Sequence, residues 1–163
     1  MIASTIFFVV VMALAMLSDI RSMTIPNRLN LALVTVFALS VLWAGMPGAA
    51  MAFHVLFALA VLSATAGLFA MGWMGGGDAK LIAATALWFG PSLLFLDYMM
   101  LAALLGGGVT LALLAARAML RPTTGLVFLD RLLLPTNGIP YGVALGAAGI
   151  LVALSGDGTA ILS

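Results

Sequence analysis

Long apolar stretches alternate with short polar turns along most of the chain. A membrane-crossing helix needs about 20 apolar residues, within a range of roughly 17 to 25. By that measure six spans are expected. They cover residues 2–18, 29–44 and 49–71, a fourth ending at Gly90-Pro91, a fifth within 92–119, and a sixth over 139–154. The breaks carry turn chemistry: Pro26, suited to opening a helix, then Gly45-Met46-Pro47-Gly48, then Gly90-Pro91. The longest polar segment, 121–137, contains Pro122, Arg131 and Pro135. The fourth span is the short one, because residues 79–89 are too few to cross a bilayer. Its helix is therefore expected to start nearer Trp73, with Asp78 inside the membrane boundary.

Composition turns this pattern into a class. Of 163 residues, 65% are hydrophobic and only 7% charged, with mean hydropathy +1.31. A soluble domain carries about 25% charged residues. The chain reads as an all-α, polytopic membrane protein, one six-helix bundle forming a single domain over 1–163. Cysteine is absent, which removes disulfides and thiolate metal sites, and one histidine, His54, argues against a histidine-based site. No cofactor or metal is expected. Net charge is +1 with no basic run, so nucleic acid has no electrostatic footprint here. The first apolar run has no basic residue before it; Arg21 and Arg28 follow it, which favours a retained span over a cleaved signal.

Charge placement tests the span count independently. If both termini lie on the non-cytoplasmic side, the inner segments are 19–28, 72–80 and 117–137. All six basic residues fall there: Arg21, Arg28, Lys80, Arg117, Arg121 and Arg131. The outer segments hold Asp97 and Asp157 and no basic residue. This is a positive-inside distribution, and it sets Asp19 and Asp78 at the same, cytoplasmic, face.

Asp19 closes the first span, and Asp78 follows Gly75-Gly76-Gly77 at the start of the fourth. An acid at the edge of hydrocarbon is costly and usually faces a bundle interior or a wet cavity. The glycines permit a sharp turn or close approach of another backbone. A plainer reading is that Asp78 caps its helix, since acids favour the first turn. Two carboxylates brought together cannot both ionise cheaply, so one can serve as base and the other as acid toward a water. That pair would need no metal, cysteine or serine. The same acids could instead serve as relay sites in a small proton-coupled transporter, or belong to an assembly subunit in which neither is essential. A dyad is expected to lose all cleavage when either acid becomes Ala or Asn, a relay to tolerate Glu at either position, and an assembly subunit to need neither acid.

Three landmarks, in order, resemble the type IV prepilin peptidases, intramembrane aspartic proteases with a GxGD motif. Gly75-Gly76-Gly77-Asp78 with Lys80 resembles their second catalytic motif. Asp19 with Ile25-Pro26-Asn27 resembles the first, an aspartate seven residues before a proline. Ile139-Pro140-Tyr141-Gly142 resembles the element that opens the last helix. The resemblance implies an Asp19/Asp78 catalytic dyad, supported by Gly75, Gly76, Gly77, Lys80, Pro26, Asn27, Pro140, Tyr141 and Gly142. It also implies a prepilin or pseudopilin substrate, with a basic cytoplasmic leader and an apolar helix in the membrane. Larger members insert a cytoplasmic domain, often with zinc motifs, after the first span. The short loop here resembles the compact subgroup serving Flp pili and Tad secretion, in a bacterial inner membrane, and argues against an added N-methyltransferase activity.

The other polar residues have plainer readings. Lys80 suits a snorkelling anchor, Arg21 and Arg28 lipid-facing anchors, and Asn27 a turn residue. Asp130 is expected in a solvated loop, and His54 near the outer interface. Trp43, Trp73 and Trp88 are expected in an aromatic belt at span ends. Ala102-x-x-x-Gly106 and similar pairs suggest close helix packing. Gly106-Gly107-Gly108 marks a thin wall through which a substrate helix would enter.

Overall fold

The computed structural model describes residues 2–120, 123, 125–134 and 136–155. Arg121, Pro122, Pro135 and Asp157 lie outside the described residues. Seven helices follow in order: α1 (Ile2–Ser22), α2 (Asn27–Ala44), α3 (Gly48–Ala70), α4 (Gly76–Phe89), α5 (Leu93–Met119), α6 (Val127–Leu133) and α7 (Tyr141–Ser155). There is no strand among the described residues. The protein is an all-α membrane bundle. α1, α2, α3 and α5 are each long and apolar enough to cross a membrane.

Local chemistry accounts for the helix limits. Pro26 and Pro47 immediately precede α2 and α3, where their fixed φ suits helix entry. Gly45 ends α2 in the left-handed conformation at φ 64°, and its N–H reaches back to the last turn. The Gly90-Pro91 signal holds, since α4 stops at Phe89. Its start does not: α4 begins at Gly76 rather than near Trp73. With 14 residues it is about 21 Å long, against roughly 30 Å of hydrocarbon. A helix that short stays buried only if longer ones surround it. α4 packs against α2, α3, α5 and α7, and every residue from Leu81 to Phe89 is buried.

Two further limits differ from the hydropathy pattern. α1 runs past the apolar stretch to Ser22, so Asp19 and Arg21 are helical. Hydropathy marks where hydrocarbon ends; the backbone hydrogen bonding continues beyond it. The polar segment before α7 contains α6, with Asp130 in its first turn and partly buried rather than in an open loop. Arg117 tethers this segment, donating from Nε to the Leu132 carbonyl and from Nη2 to those of Asn137 and Gly138.

Aromatic rings close the C-terminal end of α4. The Trp88 ring lies 5.2 Å from Phe8 and 6.0 Å from Phe37, and Phe89 lies 5.5 Å from Phe8 and 5.8 Å from Tyr98. Trp88 is fully buried, with Nε1 donating to the Leu33 carbonyl at 3.1 Å, so it is not part of a belt. Trp43 and Trp73, by contrast, are exposed. His54 is buried too, rather than interfacial. Its Nδ1 donates to the Leu87 carbonyl at 2.9 Å, and its ring stacks on Phe37.

Candidate active site

At the opposite end of α4 a chamber of about 620 Å³ opens, lined by both Asp19 and Asp78. Three elements build it: the end of α1 with its following turn, the glycine stretch that starts α4, and the approach to α7.

Asp19 is held from a distant part of the chain. The Gly142 N–H, 123 positions away, donates to its Oδ2 at 2.7 Å. Gly142 lies in the first turn of α7, whose amides have no partner inside their own helix. The α1 carboxylate thus caps α7 from outside, where the helix dipole favours negative charge. The contact depends on glycine. A Cβ at residue 142 would lie 2.8 Å from Asp19 Oδ2 and 2.9 Å from Ile25 Cδ1. Pro140 precedes α7 and is buried, and Tyr141 lines the chamber with its hydroxyl 3.4 Å from Thr110 Oγ1.

Asp78 is held by its own helix. It sits in the first turn of α4 and its carboxylate folds back over the start of that turn, where a Cβ on Gly75 would lie 2.8 Å from Oδ2. A place in the first turn, where the helix dipole favours an acid, is compatible with a place in the chamber. Asp19 and Asp78 face the same space. Gly75, Gly76 and Gly77 all line the chamber wall. At Gly77 the turn after α1 comes so near that a Cβ would lie 3.2 Å from Ile25 Cβ and 3.3 Å from its backbone nitrogen.

Lys80, Asn27 and Pro26 lie outside this chamber. Lys80 Nζ donates to Asn27 Oδ1 at 2.9 Å, joining the starts of α2 and α4 at an exposed position. Both line a different cavity, of about 480 Å³, between α2, α3 and α4. Pro26 is exposed at the entry to α2. Four basic residues, Arg21, Lys80, Arg117 and Arg131, lie at the chamber's end of the bundle. Besides the Lys80 and Arg117 contacts, Arg131 Nη1 donates to the Arg21 carbonyl at 3.2 Å.

Two residues that the sequence reading gave no role of their own, Ile25 within the first landmark and Met23, contribute to the site. Ile25 is buried between the two glycine approaches at 77 and 142. Met23 takes a left-handed backbone at φ 54°, its N–H donating to the Asp19 carbonyl at 2.8 Å, and it lines the chamber. For a residue other than glycine that conformation costs about 1–2 kcal/mol. Ile25 is marked only as part of the Ile25-Pro26-Asn27 landmark, and no sequence signal marks Met23, an apolar residue in a turn. No cluster of three or more potential metal ligands occurs among the described residues.

The sequence matches the type IV leader peptidase family over residues 6–116, which includes Asp19 and Asp78 and stops before α7. No curated protein and no solved structure gives a match. The extent of that family match decides the assignment: the chain belongs to the type IV leader peptidase family.

Proposed function

We propose that the protein is an aspartic endopeptidase of the bacterial inner membrane that removes the leader of Flp-type prepilins or pseudopilins. Asp19 and Asp78 form its dyad. The observation that carries this reading is that two carboxylates from separate helices line one chamber, Asp19 oriented by the Gly142 N–H at the start of α7 and Asp78 in the first turn of α4. In the reaction one carboxylate takes a proton from water as the water oxygen attacks the scissile carbonyl carbon. The other gives a proton to the peptide nitrogen as the C–N bond breaks. The products are a free carboxylate on the leader and a free amine on the shortened pilin.

In this reading the chain is one multi-pass peptidase domain with both termini outside and the chamber at the cytoplasmic face. The gathering of Arg21, Lys80, Arg117 and Arg131 at the chamber's end supports that orientation by the positive-inside rule. Asp97, exposed near the start of α5, lies toward the other end. Lipid covers the apolar outer faces of the bundle.

The test is co-expression with an Flp-type prepilin. Wild type is expected to release the leader. Asp19→Ala, Asp78→Ala and the corresponding Asn variants are each expected to lose at least about 10²-fold to 10⁴-fold in rate, at normal membrane levels. Full-rate cleavage by either Ala variant sinks the dyad assignment.

A further inference from the structure

A second, apolar cavity continues from the chamber. It measures about 240 Å³ and lies between α4, α5 and α7. Asp78, Trp73, Met74 and Tyr141 line both spaces, so the two meet at the proposed catalytic acid. Beyond that junction the walls are Ile82 of α4, Ala102 and Ala103 of α5, and Ala144 of α7. The shape follows from how α4 and α5 meet. The short link at Gly90-Pro91 holds them together at one end, where Phe89 and Tyr98 are in contact. Toward Asp78 they part, and α7 floors the gap. Gly106, one turn along from Ala102, is covered by Tyr141 and Ala144, so this part of α5 is roofed by the cleft's own lining.

We infer that this cleft binds the apolar segment of the substrate on the carboxyl side of the scissile bond, while the polar leader occupies the larger chamber. The inference rests on the leader-peptidase reading and deepens it by assigning the substrate's path. A peptide bond placed at Asp78 must leave the site in two directions, and the two adjoining spaces differ in kind. The chamber carries two carboxylates and the backbone of three consecutive glycines beside Met23, Ile25, Trp73 and Met74, whereas the cleft has one carboxylate, Asp78, at its mouth and apolar side chains beyond it. In a prepilin the polar leader precedes the apolar helix, so a chain threading both spaces sets its leader in the chamber and its apolar segment in the cleft. The larger cavity between α2, α3 and α4 is the rival docking place. It reaches neither acid, so a segment seated there would hold its neighbouring peptide bond away from the dyad. Ala103 is exposed at the cleft's edge and sets how wide a segment enters.

The experiment compares Ala103→Trp with Leu59→Trp, which places the same ring in the rival cavity. With full-length prepilin in membranes, Ala103→Trp is expected to raise KM by about tenfold or more while kcat changes little. Leu59→Trp is expected to match wild type. A soluble leader peptide ending just past the scissile bond is expected to be cut equally by all three. In parallel, a benzophenone side chain at position 103 or 59, in an Asp78→Asn background, is irradiated with bound prepilin. Cross-linking at 103 and not at 59 supports the cleft; cross-linking at 59 alone overturns it. Unchanged kinetics of Ala103→Trp on a prepilin that wild type cleaves also overturns it. Wild type leaving prepilin uncut is instead a failure of the peptidase reading, and the cross-linking result still reports which cavity holds the helix.

Discussion

At its C-terminal end α4 is enclosed by aromatic rings, whereas at its N-terminal end it opens on a polar chamber. Trp88, Phe89, Phe8, Phe37 and His54 leave almost no accessible surface at the closed end, and Trp88 Nε1 and His54 Nδ1 find backbone carbonyls. At the open end Gly75, Gly76 and Gly77 replace bulk with backbone, and the carboxylate of Asp78 is only partly buried. The contrast shows how a short helix can present an acid within a membrane protein. Bulky packing fixes one end, so the other can do without it. Inside lipid such fixing comes from dispersion contacts and satisfied hydrogen bonds more than from exclusion of water. The closed end supplies both.

The strongest way to break this comparison is to empty the closed end. Trp88→Ala removes a fully buried ring and its hydrogen bond, and is expected to cost about 3–5 kcal/mol. Thermal unfolding in detergent measures it. A small shift would mean that α4 is not anchored there. At the open end, Gly142→Ala puts a methyl group 2.8 Å from the Asp19 carboxylate. The displaced acid is expected to lower the cleavage rate by about 10-fold to 100-fold, because small misplacements of reacting groups are costly in rate. Unfolding temperature is expected to change little, so the two variants divide stability from activity. Lys80→Met is expected to have the smallest effect. Its partner Asn27 is exposed and both lie outside the chamber, so the rate is expected to stay within about twofold of wild type. A large loss would bring Lys80 into the site and blur the division between the chamber and the α2–α3–α4 cavity.

How much was legible varies with the kind of signal. Proline and glycine act locally, so the breaks at Pro26, Gly45-Met46-Pro47-Gly48 and Gly90-Pro91 were readable from the chain. The overrun of α1 through Asp19 to Ser22 was not, since a polar side chain does not end a helix whose backbone bonds continue. The seven-residue α6 carries too few turns for a periodic pattern. His54 and Trp88 were misread for one reason. Both lie near the ends of apolar runs, and whether such a residue faces lipid or core depends on which helix lies beside it. Lys80 was motif and anchor at once in the sequence; its contact with Asn27 adds a third role that neither reading contained.

By itself the sequence determined the membrane class, the turn positions and the two acids as candidates, because each rests on composition or on residues adjacent in the chain. Tertiary structure alone decided that Asp19 and Asp78 share a chamber and that Gly142 orients Asp19 from 123 positions away. It also decided that an apolar cleft leads off from Asp78. Hydropathy states how much surface a helix must hide from water, but it does not name the neighbour that hides it. Contacts between distant segments follow from how whole helix faces fit together, and that fit is a property of the bundle.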